Sequence, residues 1–197
     1  MKKKFFYIAQ GLPNSYSGGT ALLGINLLKE LKKVYKITAV NAAKNYYDKN
    51  SILKAKKELK KEKIKYNIIK TNKKILRPSH ITLWNFYKPN YYNEEKVKEI
   101  EKFVNKIKIN KKDIVFCVGS NCIAACKNLN ATKIAMTEDI QDQVQIYRTY
   151  LTINKFNFIK KIIKILMLKI HFRDYYNWLK NITANYNLIY TYSPFDY

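Results

Sequence analysis

The sequence predicts an α/β fold, an open and mainly parallel sheet with helices on both faces. Phe5–Ala9 is an unbroken apolar run, which is typical of a strand buried on both faces. Residues 11–19 are rich in turn formers, and residues 22–31 repeat apolar side chains at helical spacing. Strand and helix patterns alternate in this way to the end of the chain, and this alternation favours parallel strands covered by helices.

Further elements follow from apolar runs and their flanking residues. Strands are predicted at Phe5–Ala9, Val34–Val40, Ile64–Lys70, Asp113–Gly119, Thr132–Thr137 and Tyr186–Ser193. Helices are predicted at Leu22–Leu31, Ser51–Lys63, Glu94–Ile109, Ser120–Leu129, Ile140–Tyr150 and Lys155–Lys180, the last as one helix or a pair. Ser51 and Ser120 are candidate N-caps. Thr71–Asn93 is irregular and rich in aromatic side chains, and within it Trp84–Tyr92 suits either stacking on a ring of a ligand or filling a core edge.

The predicted topology places two loops across one crevice. In open parallel sheets, ligands bind beyond the carboxyl ends of the strands, where the strand order reverses. With the usual order that point lies between Phe5–Ala9 and Ile114–Val118. The loops at Gly11–Gly19 and Gly119–Asn121 follow these strands, and both are rich in Gly, Ser and Asn. We therefore expect a ligand site between them.

The charge balance has two interpretations. Lys and Arg number 38 and Asp and Glu 14, a formal net charge of +24. Such a charge favours nucleic acid or an anionic membrane as partner, or it reflects a compositional bias towards Lys, Asn, Ile and Tyr. Arginine, the usual bidentate contact to bases, occurs only at Arg77, Arg148 and Arg173. We therefore expect no nucleic-acid partner.

The cysteines predict a reducing environment. Cys117, Cys122 and Cys126 form one cluster of odd number, which argues against a disulfide framework. His80 and His171 are distant in sequence, so no metal site is predicted. We expect buried, reduced thiols and a cytoplasmic location, with contact at the inner face of the membrane as an open option.

The option of membrane contact depends on the apolar-rich stretch Phe156–Phe172. Four lysines interrupt it, so it does not have the length of apolar residues that a spanning helix needs. It suits a membrane-surface helix, in peripheral contact with an anionic membrane, or a helix that packs its apolar face on the core and exposes its lysines.

Several segments resemble glycosyltransferase family 4. "FFYIAQGLPNSYSGGTALLGINLLKELKKVYKITAVN" is similar to the family's opening strand, its loop ending in Gly-Gly, its helix and its second strand, with Gly18, Gly19, Asn26, Leu27 and Leu31 at matching places. "DIVFCVGSNCIAA", "TKIAMTED" and "YNLIYTYSPFDY" resemble three later segments of the family in the same order. The histidines that many members carry in two of these segments are absent here; Cys117, Val118 and Gly119 stand at one position and Thr137, Glu138 and Asp139 at the other.

The resemblance implies a GT-B fold, in which two Rossmann-like domains enclose the active site. Residues 1–197 would be the N-terminal, acceptor-side domain, and the donor-binding C-terminal domain would be absent or separately encoded. The chain would need no cofactor itself, and a nucleotide-sugar donor is expected only with the second domain. The implied partner is a sugar acceptor, a glycan or a lipid-linked one as in cell-surface polysaccharide biosynthesis.

The candidate site residues come from the loops and strand ends that this likeness covers. Asp139 is the candidate catalytic base, with a helix N-cap as its alternative role. Gly18 and Gly19 would let a phosphate or acceptor approach backbone N–H groups, or would only form a tight connection. The other candidate substrate-binding residues are Asn14, Ser17, Thr20, Gly119, Ser120, Asn121, Thr137, Glu138 and Ser193. A non-catalytic module that binds carbohydrate or a protein partner is the alternative function.

Overall fold

A computed structural model describes residues 2–17, 19–42, 49–69, 94–137 and 158–191. Six parallel strands form one sheet in the order β3-β2-β1-β4-β5-β6. The strands are β1 Lys4–Ala9, β2 Lys36–Asn41, β3 Lys65–Ile68, β4 Ile114–Val118, β5 Thr132–Thr137 and β6 Leu188–Thr191. The predicted parallel α/β fold is confirmed, and β1 and β4 are the central pair, as expected.

Helices cover the two faces of this sheet. They are α1 Gly19–Leu31, α2 Lys49–Lys61, α3 Glu94–Lys106, α4 Ser120–Cys126 and α5 Phe158–Thr183. One core cluster joins α1 and α2 to the sheet, and the other joins α3, α4 and the C-terminal end of α5 to the opposite face. This division of helices between faces, with the crossover between β3 and β4, is the doubly wound arrangement.

Strand β1 is central because its side chains serve both cores. Phe6 and Ile8 belong to the cluster with α3 and α4, whereas Phe5, Tyr7 and Ala9 belong to the cluster with α1 and α2. All five are at most 5% exposed. An alternating pattern would have left one face in water, so the unbroken apolar run is what a doubly covered strand requires.

Some predicted boundaries are wrong by a few residues. Helix α2 begins at Lys49, so Ser51 lies in its first turn and is not the N-cap. Helix α3 ends at Lys106, where the N–H of Ile107 turns back to the carbonyl of Val104. Strand β6 begins at Leu188, since the N–H of Tyr186 still donates back to the carbonyl of Thr183 in the turn after α5. These ends depend on tertiary packing more than on residue type.

The C-terminal predicted helix is a single helix of 26 residues, α5. Its apolar side chains at Ile159, Ile162, Ile163, Leu166 and Ile170 are exposed, so the interpretation as a core-facing apolar side is wrong. Among the described side chains of α5, those that pack on the core are Trp178, Leu179 and Ile182, near its C-terminal end. The irregular aromatic stretch Thr71–Asn93 and the predicted helix Ile140–Tyr150 lie outside the described residues.

Candidate functional site

The carboxyl edge of the β1–β4 pair brings the two predicted loops together. Ile8 of β1 lies beside Cys117 of β4 in parallel register. The chain therefore leaves both strands at the same edge, within one residue of each other in register. The two loops thus begin side by side at the point where the strand order reverses, as predicted from the topology. They are residues 10–17 and Gly119–Asn121.

The loop after β1 is held by the side chain of Asn14. Its Oδ1 accepts hydrogen bonds from the N–H groups of Tyr16, at 2.9 Å, and Ser17, at 2.7 Å. Its Nδ2 donates to the carbonyl of Leu12 at 2.8 Å. Asn14 is only 1% exposed. The Asn14 side chain therefore stabilises the loop through an Asx-type turn, and this structural role requires no ligand.

A carboxylate on α2 fixes the next residue of the loop. Glu58 accepts hydrogen bonds from the N–H and the hydroxyl of Ser15, at 2.9 Å and 3.1 Å. Its other oxygen accepts one from Lys29 of α1 at 3.2 Å. The carboxylate side chain is 10% exposed. One acid thus connects the loop to two helices, and the sequence carried no signal for this role, because Glu58 is 43 residues from Ser15.

Open space lies beside the start of α1. Gly19 has a φ of +20°, and a Cβ placed on it would have no atom within 4 Å. Thr20 and Ser17 are half-buried on either side of this position. The N–H groups of a first helical turn have no partners within the helix, so this space favours acceptor groups such as sugar hydroxyls or phosphate oxygens. Gly18 lies outside the described residues.

The second loop depends on the backbone of Gly119. Its φ of 84° and ψ of 149° belong to a region that essentially only glycine adopts. Its N–H donates to the carbonyl of Met136 at 3.0 Å, and its carbonyl accepts from the N–H groups of Cys122 and Ile123, both at 3.0 Å. Gly119, and not Ser120, is therefore the N-cap residue of α4. Ser120 is half-buried in the first turn, and Asn121 is buried.

A cation at this edge was not anticipated from the sequence. Lys96, in the first turn of α3, is 7% exposed, and its Nζ donates to Oε1 of Gln10 at 3.1 Å. Gln10 directly follows β1, so an ammonium group lies beside the start of the crevice. In the sequence Lys96 is one of many lysines on a helix. Its helical position gave no reason to separate it from the solvent-exposed ones.

The end of β5 contributes one described candidate residue. The hydroxyl of Thr137 donates to the carbonyl of Tyr190 at 3.3 Å, and Thr137 is buried. It therefore connects β5 to β6 at the carboxyl edge. The candidates Glu138, Asp139 and Ser193 lie outside the described residues, and their roles stay predictions.

The predicted buried thiols are confirmed. Cys117, Cys122 and Cys126 are free and buried in the core on the α4 side of the sheet. A hydrogen bond with Cys117, together with burial, raises the pKa of the Cys126 thiol well above its usual value. A thiol that stays protonated, as at Cys126, is a poor nucleophile and a poor metal ligand. Within the described ranges, no three His, Cys, Asp or Glu side chains come together in a group that could hold a metal ion.

When the chain is compared with known proteins, no family model, no curated protein and no solved structure matches it.

Proposed function

We propose that this chain is the acceptor-side half of a nucleotide-sugar-dependent glycosyltransferase, with its substrate surface at the carboxyl edge of β1 and β4. One observation carries the proposal. The sheet order β3-β2-β1-β4-β5-β6 puts the strand-order reversal between the two loops that the family 4 resemblance assigns to substrate. An order with β1 at the sheet edge would have separated those loops.

The described groups suit recognition of a sugar acceptor. Sugar hydroxyls need both donors and acceptors, and this edge offers the hydroxyls of Ser17 and Thr20 with open space at Gly19. The Lys96–Gln10 pair adds donors where the loop begins, directly after β1. The arrangement is polar and partly prearranged by Asn14, which is what an orienting surface requires.

The proposed reaction transfers a sugar from a nucleotide to an acceptor hydroxyl. The acceptor oxygen forms the new bond to the anomeric carbon, and the bond from that carbon to the nucleotide's phosphate oxygen breaks. The leaving nucleotide carries away the negative charge, and Asp139 is the proposed acceptor of the hydroxyl proton. A second Rossmann-like domain would hold the nucleotide-sugar across the crevice.

The first experiment measures binding of acceptor glycans to the purified chain by NMR chemical-shift perturbation. We expect shifts confined to residues at the carboxyl edge, including Gly19, Thr20 and Gly119. Thr20→Val should weaken binding by roughly three- to tenfold, the value of one hydrogen bond. Thr132→Val is the matched control, because Thr132 begins β5 at the opposite edge of the sheet and is exposed. Shifts at the amino edge, or equal losses in the two variants, would overturn the site.

The second experiment measures transfer. The chain alone should release no free nucleotide from a panel of nucleotide-sugars, because one sheet supplies only one wall of the active site. Adding a donor-binding domain should restore transfer, and Asp139→Asn should lower that rate by about a hundredfold or more. Multiple turnover by the chain alone would refute the two-domain proposal. Glycan binding without transfer in any combination would favour the non-catalytic binding module.

A further inference from the structure

Helix α5 exposes an apolar stripe over its first half. Six large apolar side chains there are each 44–76% exposed: Phe158, Ile159, Ile162, Ile163, Leu166 and Ile170. The spacing from Ile159 through Ile162, Ile163 and Leu166 to Ile170 follows the three- and four-residue repeat of one helix face. Scattered exposed apolar residues are ordinary, but a continuous stripe on one face is typical of an interaction surface.

The stripe is independent of the packed part of the helix. Of the α5 side chains that the structure describes, Trp178, Leu179 and Ile182 pack on the core, and Thr183 is also buried at this end. A helix of 26 residues is about 39 Å long, whereas a strand of six residues such as β5 spans about 20 Å. Since a helix between parallel strands runs back along them, we expect the first half of α5 to reach the carboxyl edge. We therefore expect the stripe to begin near the carboxyl edge of the sheet.

The charge around the stripe favours a negatively charged occupant. Lys169 and Arg173 are both exposed and lie on the same side of α5 as Ile162 and Leu166, by helical spacing. The helix contains six basic residues and one acidic residue, Asp174. The whole chain carries a formal charge of +24. A second copy of this chain would bring the same positive charge, so self-association on this face is electrostatically opposed.

We infer that the first half of α5 lies on an anionic membrane surface. The stripe would enter the boundary between headgroups and acyl chains, while Lys169 and Arg173 remain among the anionic headgroups. The helix would lie in the plane of the surface: across the part of the chain that the structure describes, no helix is long and apolar enough to cross a membrane. This inference does not depend on the proposed transferase activity.

Vesicle co-sedimentation tests the surface directly. The purified chain is mixed with vesicles of phosphatidylcholine containing about one third phosphatidylglycerol, and with vesicles of phosphatidylcholine alone. We expect binding to the first and at least tenfold weaker binding to the second, because each basic side chain near an anionic surface changes affinity by about fivefold. Absence of binding to the anionic vesicles would overturn the inference.

Two matched variants separate the stripe from general charge attraction. Leu166→Ser removes a stripe residue that is 54% exposed, and Leu53→Ser removes a residue of α2 with the same exposed fraction. Leu166→Ser should weaken vesicle binding by roughly tenfold or more, and Leu53→Ser should leave it unchanged. Both side chains are exposed, so both variants should keep the thermal midpoint of the parent. Equal binding by the two variants would show that charge alone attracts the chain and would overturn the role of α5.

Sedimentation equilibrium tests whether a second copy of the chain, and not a membrane, covers the stripe. We expect a monomer without vesicles at micromolar concentration. A dimer that Leu166→Ser dissociates and Leu53→Ser does not would show that a second copy covers the stripe, and would overturn the membrane assignment.

Discussion

Replacing Gly119 by alanine tests the geometry of the candidate crevice. A side chain at φ 84° and ψ 149° is strained, and relaxing the backbone would disturb three hydrogen bonds. One joins Gly119 to Met136 of β5, and the other two begin helix α4. Because both sides of the residue are fixed, we expect the strain to remain in the folded state.

The expected cost follows from the conformation. A non-glycine residue held in such a region costs about 1–3 kcal/mol. For a domain of this size each kcal/mol lowers the melting temperature by about 2–4 °C. Gly119→Ala should therefore lower the thermal midpoint by roughly 2–12 °C, measured by circular dichroism at constant pH. Gly19→Ala is a comparison at a second strained backbone position: Gly19 has a φ of +20°, but it is exposed and its added Cβ meets no atom within 4 Å.

The parent chain is the reference for this measurement. Gly119→Ala should melt below the parent, and Gly19→Ala should also melt below it because its φ of +20° is unfavourable for a side chain. A thermal midpoint equal to that of the parent would refute the assigned backbone conformation. It would also remove the reason for a glycine at the start of α4.

Two further predictions concern packing and pH. Gly24→Ala should destabilise the chain, because the new Cβ would overlap the hydroxyl oxygen of Tyr7. Overpacking costs about 1–3 kcal/mol, and the better helix propensity of alanine offsets up to about 1 kcal/mol of this cost. Urea unfolding measures this loss, and a Gly24→Ala chain as stable as the parent would contradict the close approach. Lys32 donates a hydrogen bond to Glu62 and lowers the pKa of that carboxyl. The pair therefore stabilises the fold at pH values above the pKa that the carboxyl has in the unfolded chain. This contribution is lost as the pH falls through the lowered pKa of the folded chain. Urea titrations from neutral to acidic pH should show this loss in the parent and a smaller one in Glu62→Gln, and identical acid limbs would disprove the linkage.

The sheet was predictable because its strands are strong local signals. Phe5–Ala9 and Ile114–Val118 are apolar without alternation, and such a run buries all its side chains only in a strand that is covered on both faces. Their central position and the facing loops followed from the handedness and order that parallel sheets share. The buried thiols followed in the same way, since Cys117 lies in one of these runs.

The parts that could not be predicted depend on contacts distant in sequence. Asn14 was a candidate for ligand binding, yet its hydrogen bonds go to its own loop. Ser120 has the residue type of an N-cap, but Gly119 occupies the N-cap position because of its backbone conformation. Gly24 had no turn signal, because its role is the approach of α1 to Tyr7. Lys96 differs from the other lysines only through Gln10, which is 86 residues away.

Helix α5 shows a different limit of sequence reasoning. Periodicity locates an apolar face but does not say what that face meets. The stripe from Ile159 to Ile170 has the same pattern whether it packs on a sheet or faces solvent. The exposed fractions of the stripe residues in the folded chain, together with the packing of Trp178 and Ile182 against the core, show that the stripe faces outwards.

The carboxylate of Glu58 has a consequence for how any ligand would bind. It holds Ser15 through both the backbone and the hydroxyl while it is paired with Lys29, so the loop, α1 and α2 share one anchor. A loop fixed in this way loses little conformational entropy when a ligand arrives, and less of the interaction energy is then consumed by ordering. Recognition at this edge would be rapid and selective for ligands that fit the existing shape, and ligands that require the loop to rearrange would be disfavoured because the anchor must first break.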